Sequence, residues 1–234
     1  MLLSTILRHA RFWEEEHSLT ALLIMLVITL FVVTPLASSA IVGSEITLCF
    51  VAALTITGVA AVSGNRRTVM VFMLLAATAI GLDWAAHFEH QTSLWILDNL
   101  VRLAFALLLA VIVTVHIYRP GNVTHHRVQG AICVYLLAGL AWSYAYDILS
   151  VLDPAAFRLT ELHSPGLAGS GILRYFSFVT LTTLGYGDIL PMSPIARTLT
   201  TAEALFGQLY PAVMIARLIS LEILGRQPRD PVDD

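Results

Sequence analysis

The chain has 234 residues, of which 57% are hydrophobic and 12% charged, with a mean hydropathy of +0.80. Soluble domains carry about 25% charged residues, so this composition excludes an ordinary soluble enzyme and a disordered chain and points to an integral membrane protein. The net charge of −3, with all 13 basic residues arginine, offers no basic face to a nucleic acid.

In chain order, residues 1–18 contain Arg8, Arg11 and the run Glu14, Glu15, Glu16. That head is too acidic for a signal peptide and lacks a small-residue cleavage site, so an interfacial helix is expected. Six apolar stretches follow, at 19–37, 46–62, 68–86, 95–117, 128–151 and 197–224. Each approaches or exceeds the roughly 20 residues that a spanning helix needs, the second being the shortest. Cys49 and Cys133 lie inside apolar runs and read as buried thiols rather than a disulfide framework. Arg8, Arg11, Arg66, Arg67, Arg119, Arg127, Arg226 and Arg229 fall at the two ends and in alternate connections, against Arg158 alone in the others. The positive-inside bias therefore puts both termini in the cytoplasm, in a multi-pass protein of the plasma (inner) membrane.

After Pro165, Gly166, Gly169 and Gly171 the chain turns apolar again from 172 to 182. As a helix that stretch is about 16 Å long, half the hydrocarbon thickness, so it must dip in and return. Re-entrant backbone is tolerated where it is buried in protein or lines a watery cavity, which makes a pore the economical explanation. The return segment reads Thr182, Thr183, Leu184, Gly185, Tyr186, Gly187, Asp188. Stripping water from a potassium ion inside a membrane requires stacked oxygens. The carbonyls of Thr183, Leu184, Gly185 and Tyr186, with the Thr183 hydroxyl, supply such a ladder for K+. Carbonyls that all face one axis need left-handed backbone in alternation, which Gly185 and Gly187 adopt without penalty. Tyr186 is expected to turn from the axis and pack on the preceding helix.

This segment resembles the filter signature of the potassium-channel superfamily, Thr-Val-Gly-Tyr-Gly-Asp, with Leu184 in place of the valine. The resemblance is sharp over 172–224 and architectural over 1–127. It implies an all-α membrane protein of six transmembrane helices plus a re-entrant pore helix (172–182) and a selectivity filter (183–188), assembled as a C4 homotetramer because one chain supplies one filter strand. It also implies a four-helix, voltage-sensor-like unit at 19–117, a cytoplasmic linker at 118–127, a pore domain at 128–224 with its inner helix at 197–224, and a tail at 225–234. By the same resemblance Thr182 ends the pore helix beside the filter, Tyr175 and Phe176 form an aromatic cuff, and Tyr175 donates to Asp188. Val179 stands where many relatives keep a carboxylate, so a filter clamp that relies on that acid does not carry over.

In the last span Gly207 and Pro211 loosen one turn and predict a hinge. Ile215, Ile219 and Ile223 recur on one face, either as a dewetting gate or as packing against the fifth span. Glu203, one turn before Gly207, is an intramembrane acid that braces the back of the filter, holds negative charge near the cavity, or is simply protonated or locally hydrogen-bonded. Arg217 is expected to snorkel toward headgroups or the linker. The fourth span carries Arg102 alone, with Asp98 one turn before it and Asp83 as a second candidate partner. One charge crossing fully is worth about 2.3 kcal/mol per 100 mV, too little for steep voltage gating. His9, His17, His125 and His126 on the cytoplasmic side offer a route for protonation to regulate the protein. The expectation is therefore a potassium-selective channel with K+ as transported ion, no cofactor, no enzyme chemistry, and membrane lipids as surroundings. The rivals are a non-conducting scaffold subunit and a weakly selective cation channel.

Overall fold

The computed structural model describes residues 19–34, 36, 70–71, 73–79, 81–82, 92–118, 125–159 and 171–226. The expected head 1–18, the second span 46–62, and most of the linker 118–127 and tail 225–234 lie outside the described residues. So do Arg8, Arg11, Arg66, Arg67, Asp83, Arg119, Arg229, Cys49, His9, His17 and the side chains of His125 and His126. Within the expected third span, residues 73–79 are helical.

The described chain is mostly helical: α1 (Leu19–Val33), α2 (Thr92–Ile117), α3 (His125–Leu152), α4 (Gly171–Leu181) and α5 (Pro194–Arg226). Three of these are long and apolar enough to cross a membrane, over Thr92–Val115, Arg127–Leu152 and Pro194–Ser220. They coincide with the expected fourth, fifth and sixth spans. The helix α4 has 11 residues and is too short to cross.

Heptad-like spacing decides which faces meet. Leu19, Leu22, Leu26 and Leu30 of α1 are buried against Phe105, Leu109, Val113 and Ile117 of α2 and against Cys133, Val134, Leu137 and Leu140 of α3. Spacings of three and four place each set on one stripe. The opposite faces remain apolar and exposed, as at Phe31, Leu107, Val111 and Val115, the pattern of helices that are hydrophobic all round. In lipid such a seam is held by van der Waals packing and interhelical hydrogen bonds rather than by water expulsion. The last turn of α1, Thr29–Val33, is a π-helix. Thr34 supports it, since its backbone N–H and its hydroxyl both donate to the Thr29 carbonyl, the latter at 2.8 Å.

Two features depart from the all-helical expectation. Strands β1 (Phe157–Leu159) and β2 (Ile189–Pro191) pair antiparallel, with Arg158 opposite Leu190. A turn at Asp153 leads into β1, its carboxylate accepting from Ala155 N at 3.1 Å and its carbonyl from Ala156 N at 2.9 Å. Three-residue strands are too short to show an alternating pattern in sequence. The helix α5 also begins three residues before the expected 197. Ser193 caps it by accepting from Ala196 N at 3.2 Å, and Pro194 occupies the first helical position, where its missing N–H is harmless. The helix then continues through Pro211 to Arg226.

Gly207 marks the closest approach in the fold. A Cβ built there would fall on the carbonyl oxygen of Leu181, at the end of α4. Its absence of a side chain thus serves packing directly, a role distinct from the hinge expected of it. That clash is with backbone, which cannot swing aside. Gly207→Ala should lower stability by about 3 kcal/mol or more, seen as a lower midpoint for loss of monodisperse protein on heating in detergent. An unchanged midpoint would contradict this packing.

Candidate functional site

The segment that follows α4 is built by what its amide groups can reach. Thr183 N donates to Thr180 O at 2.9 Å, while Leu184 N and Gly185 N both donate to Val179 O at 2.9 and 3.3 Å. Thr182 adds its hydroxyl to the Phe178 carbonyl at 2.7 Å, so its side chain belongs to the helix end. With the N–H groups drawn back to α4, none of the described residues donates to the carbonyls of Thr183, Leu184, Gly185 or Tyr186. All four residues are exposed in the single chain, so their carbonyls are open to an outside partner.

The backbone alternates as the segment proceeds. Thr183, Gly185 and Gly187 all have left-handed φ, at 58°, 59° and 77°. The glycines adopt this freely, whereas Thr183 is a β-branched residue there, a conformation that costs of order 1–3 kcal/mol and must be held by its surroundings. A further contact falls on that residue: Gln208 Nε2 of α5 donates to Thr183 Oγ1 at 2.9 Å.

The far end of the segment is pinned separately. Tyr175 Oη donates to Asp188 Oδ2 at 2.8 Å, and the Tyr175 and Tyr186 rings stack with centroids 6.4 Å apart and 9° between planes. Tyr186 thus turns its ring to α4. Phe176 faces the other way. It is buried in a cluster with Tyr146 (5.3 Å) and Phe157 (5.5 Å), so within the chain the two aromatics pack on different neighbours.

Behind the segment lies Glu203, fully buried. Tyr146 Oη donates to its Oε2 at 2.6 Å, and Ser177 Oγ lies 2.5 Å from its Oε1 and 2.8 Å from the Gly139 carbonyl. A serine hydroxyl has one proton and cannot donate to both. All three contacts are satisfied together when Glu203 is a carboxylic acid that donates to Ser177, which donates to Gly139. The acid therefore joins α3, α4 and α5 behind the segment. Val179, 8% exposed, brings no second carboxylate to this region. A groove of about 370 Å³ is lined by Val179, Thr180, Thr183, Gly185, Thr200 and Ala204, among others.

Ile215, Ile219 and Ile223 are 55–59% exposed, which removes the reading that they pack against the fifth span. They share exposure with Leu205, Leu209 and Val213 on the same helix. Pro211 is half-buried within the continuous α5. Arg217 stacks over the Tyr118 ring at 5.8 Å, at the start of the linker region. Arg102 pairs with Asp98 at 2.8 Å. No cluster of His, Cys, Asp or Glu suited to a metal occurs among the described residues.

Sequence reasoning missed Gln208, Ser177 and Tyr146. Gln208 carried a signal, a lone amide in an apolar helix immediately after Gly207; the other two look like ordinary helix residues until Glu203 is placed beside them.

Comparison with known proteins finds a likeness over this same stretch. Residues 170–222 match a family model described as ion channel. Protein LctB of Bacillus caldotenax is 35% identical over 91 residues, covering 36% of this chain and 64% of that protein. The inward rectifier potassium channel Kirbac3.1 of Paramagnetospirillum magnetotacticum is 51% identical over 39 residues, 17% of this chain and 13% of its own. Protein LctB of Geobacillus stearothermophilus is 44% identical over 45 residues, 19% of this chain and 33% of its own. The chain thus spans less than two thirds of each of these relatives. No solved structure gives a significant match.

The Glu203 contacts generate a contrast between two substitutions. Glu203→Gln keeps an acceptor for Tyr146 and a donor for Ser177 and should leave thermal stability close to that of the parent. Glu203→Leu takes the acceptor from the buried Tyr146 hydroxyl and the donor from Ser177, which keeps only its bond to Gly139, and should cost roughly 2 kcal/mol or more. Equal losses for both in a detergent melting series would refute the neutral-acid arrangement.

Proposed function

We propose that this chain forms a potassium-selective ion channel that conducts passively through a pore made by four copies. The observation that carries the reading is the run of unpaired carbonyls at Thr183, Leu184, Gly185 and Tyr186, joined to left-handed backbone at 183, 185 and 187. Such carbonyls replace an ion's water shell when several strands surround one axis. One strand cannot enclose an ion, so a C4 homotetramer follows from the chemistry. The likeness of this stretch to an ion-channel family and to a potassium channel supports the choice of ion.

In this reading K+ sheds water at the mouth of the filter and passes between carbonyl rings. The last turn of α4, Thr180 to Thr182, points its negative dipole end toward the ion path. Thr183 contributes its hydroxyl at the inner end, where Gln208 orients it. Asp188 and Tyr175 hold the outer end, and Glu203 with Ser177 and Tyr146 braces the back. Ile215, Ile219 and Ile223 line a hydrophobic gate beyond Gly207 and Pro211. The channel resides in a cell membrane with cytoplasmic termini and lipids against its exposed apolar faces. The single Arg102, paired with Asp98, is too little charge to make opening steeply voltage-dependent.

Purified protein in proteoliposomes with a potassium gradient should show potassium flux well above sodium flux. Gly185→Ala should abolish it, because alanine in a left-handed conformation costs roughly 1–2 kcal/mol in each copy, while a Cβ there meets no atom of its own chain. Equal potassium and sodium flux would favour a weakly selective pore. No flux from assembled protein across several voltages and pH values would refute conduction and favour a scaffold.

A further inference from the structure

Arg174 is the single charged residue of α4, and the filter account above does not use it. One of its terminal nitrogens donates to Thr34 Oγ1 at 2.9 Å, across 140 positions of sequence. Its Nε is buried with no hydrogen-bond partner. Asp147 of α3, 3% exposed, lies within electrostatic reach of both Arg174 and Arg102. A guanidinium at this depth needs acceptors and nearby opposite charge to persist. Thr34 supplies a hydrogen bond, and Asp147 acts at electrostatic range, with no ion pair to Arg174 among the described residues.

The acceptor is itself unusual. Thr34 closes the π-turn Thr29–Val33, its own hydroxyl proton engaged by the Thr29 carbonyl. Oγ1 is thereby left as an acceptor facing Arg174. Single π-turns in α-helices concentrate at functional positions. On the other side, the next residue along α4 is Tyr175, which bonds Asp188 and stacks on Tyr186. Two adjacent residues of one short helix thus reach different partners, one the end of α1 and one the outer end of the carbonyl segment.

We propose that Arg174 is a positioning residue through which the first span, by Thr34, and the fifth-span helix α3, by Asp147, set the placement of α4 and hence of the segment Thr183–Asp188. The unit formed by the first spans then acts on the filter directly, at the pore helix, and not only through the 118–127 linker. The inference rests on the conduction reading and adds a regulating contact to it. Lysine is a poor substitute, because one ammonium cannot reproduce the fork that reaches Thr34 while facing Asp147.

The test compares the full chain with Thr34→Val, Arg174→Gln and their combination, each in proteoliposomes, by potassium flux per assembled channel and by the rubidium-to-potassium flux ratio. Hydrogen–deuterium exchange of the amides of 183–188 is followed in parallel. Thr34→Val removes the acceptor for Arg174 and the hydroxyl bond to the Thr29 carbonyl but keeps the charge balance, so it should assemble like the parent. Thr34→Ser, which retains both bonds, should match the parent in flux and exchange. Arg174→Gln combined with Asp147→Asn guards against misfolding from an uncompensated Asp147. Loss of one such hydrogen bond is expected to change flux per channel and the exchange rate of 183–188 by about threefold to tenfold. The Thr34 and Arg174 changes should not add. Unchanged flux, ratio and exchange in Thr34→Val, or fully additive effects, would overturn the proposal. If the parent itself proves silent, the conduction reading fails, and the exchange of 183–188 alone still decides whether Arg174 positions the segment.

Discussion

Leu184 and Gly185 both turn their amides back to the single carbonyl of Val179, and this shared acceptor governs the segment that follows. With N–H groups facing the helix, the next carbonyls face away from it, and left-handed φ at Thr183, Gly185 and Gly187 keeps them in line. The surrounding contacts hold α4 still enough for that arrangement to persist. Tyr135 donates to the Leu181 carbonyl at 3.0 Å, Gly207 lets α5 press on the same carbonyl, and Ser177 links α4 to Glu203 and Gly139. At the other end Asp188 is tied to Tyr175. Both ends of the segment are fixed, and its middle is left without intrachain acceptor duty.

Packing here answers to a lipid solvent. Burial of Leu22, Leu26, Leu109 and Leu137 gains little from water expulsion when the alternative is hydrocarbon, so polar contacts and close backbone approach carry more of the specificity. That explains why so many buried polar groups sit between helices rather than at the surface. Glu203, Ser177, Ser143 and Asp147 are all at most 3% exposed. Each joins or faces a neighbouring turn or helix. The strongly apolar outer faces, by contrast, have no partner among the described residues and suit lipid or another copy.

The long helices and the short one were legible because hydropathy reports them directly. A stretch of eleven apolar residues between glycines and a Gly-Tyr-Gly run has few other readings. The left-handed glycines were legible for the same reason, since carbonyl geometry demands them. Thr183 in the same conformation was not, because a β-branched residue carries no local signal for it. The β1–β2 pair was missed as too short to alternate, and Ser193–Pro194, a plain helix start, was passed over in favour of the apolar pattern that begins later. Glu203 was recognised as intramembrane, but Tyr146 and Ser177 became its partners only once α3 and α4 were brought together. Gly207 was read for flexibility, while the fold uses its lack of a Cβ. Arg174 carried the same signal as Glu203, a charge in an apolar segment.

In the proposed channel, conduction depends on the carbonyls of Leu184, Gly185 and Tyr186 serving as ion ligands. The direct measurement is solid-state NMR of the bilayer-reconstituted protein with those carbonyls 13C-labelled, as potassium is replaced stepwise by sodium at constant ionic strength. Saturable carbonyl shifts that depend on potassium are the predicted result. Carbonyl resonances identical in the two ions, in protein shown to be folded and assembled, would contradict it.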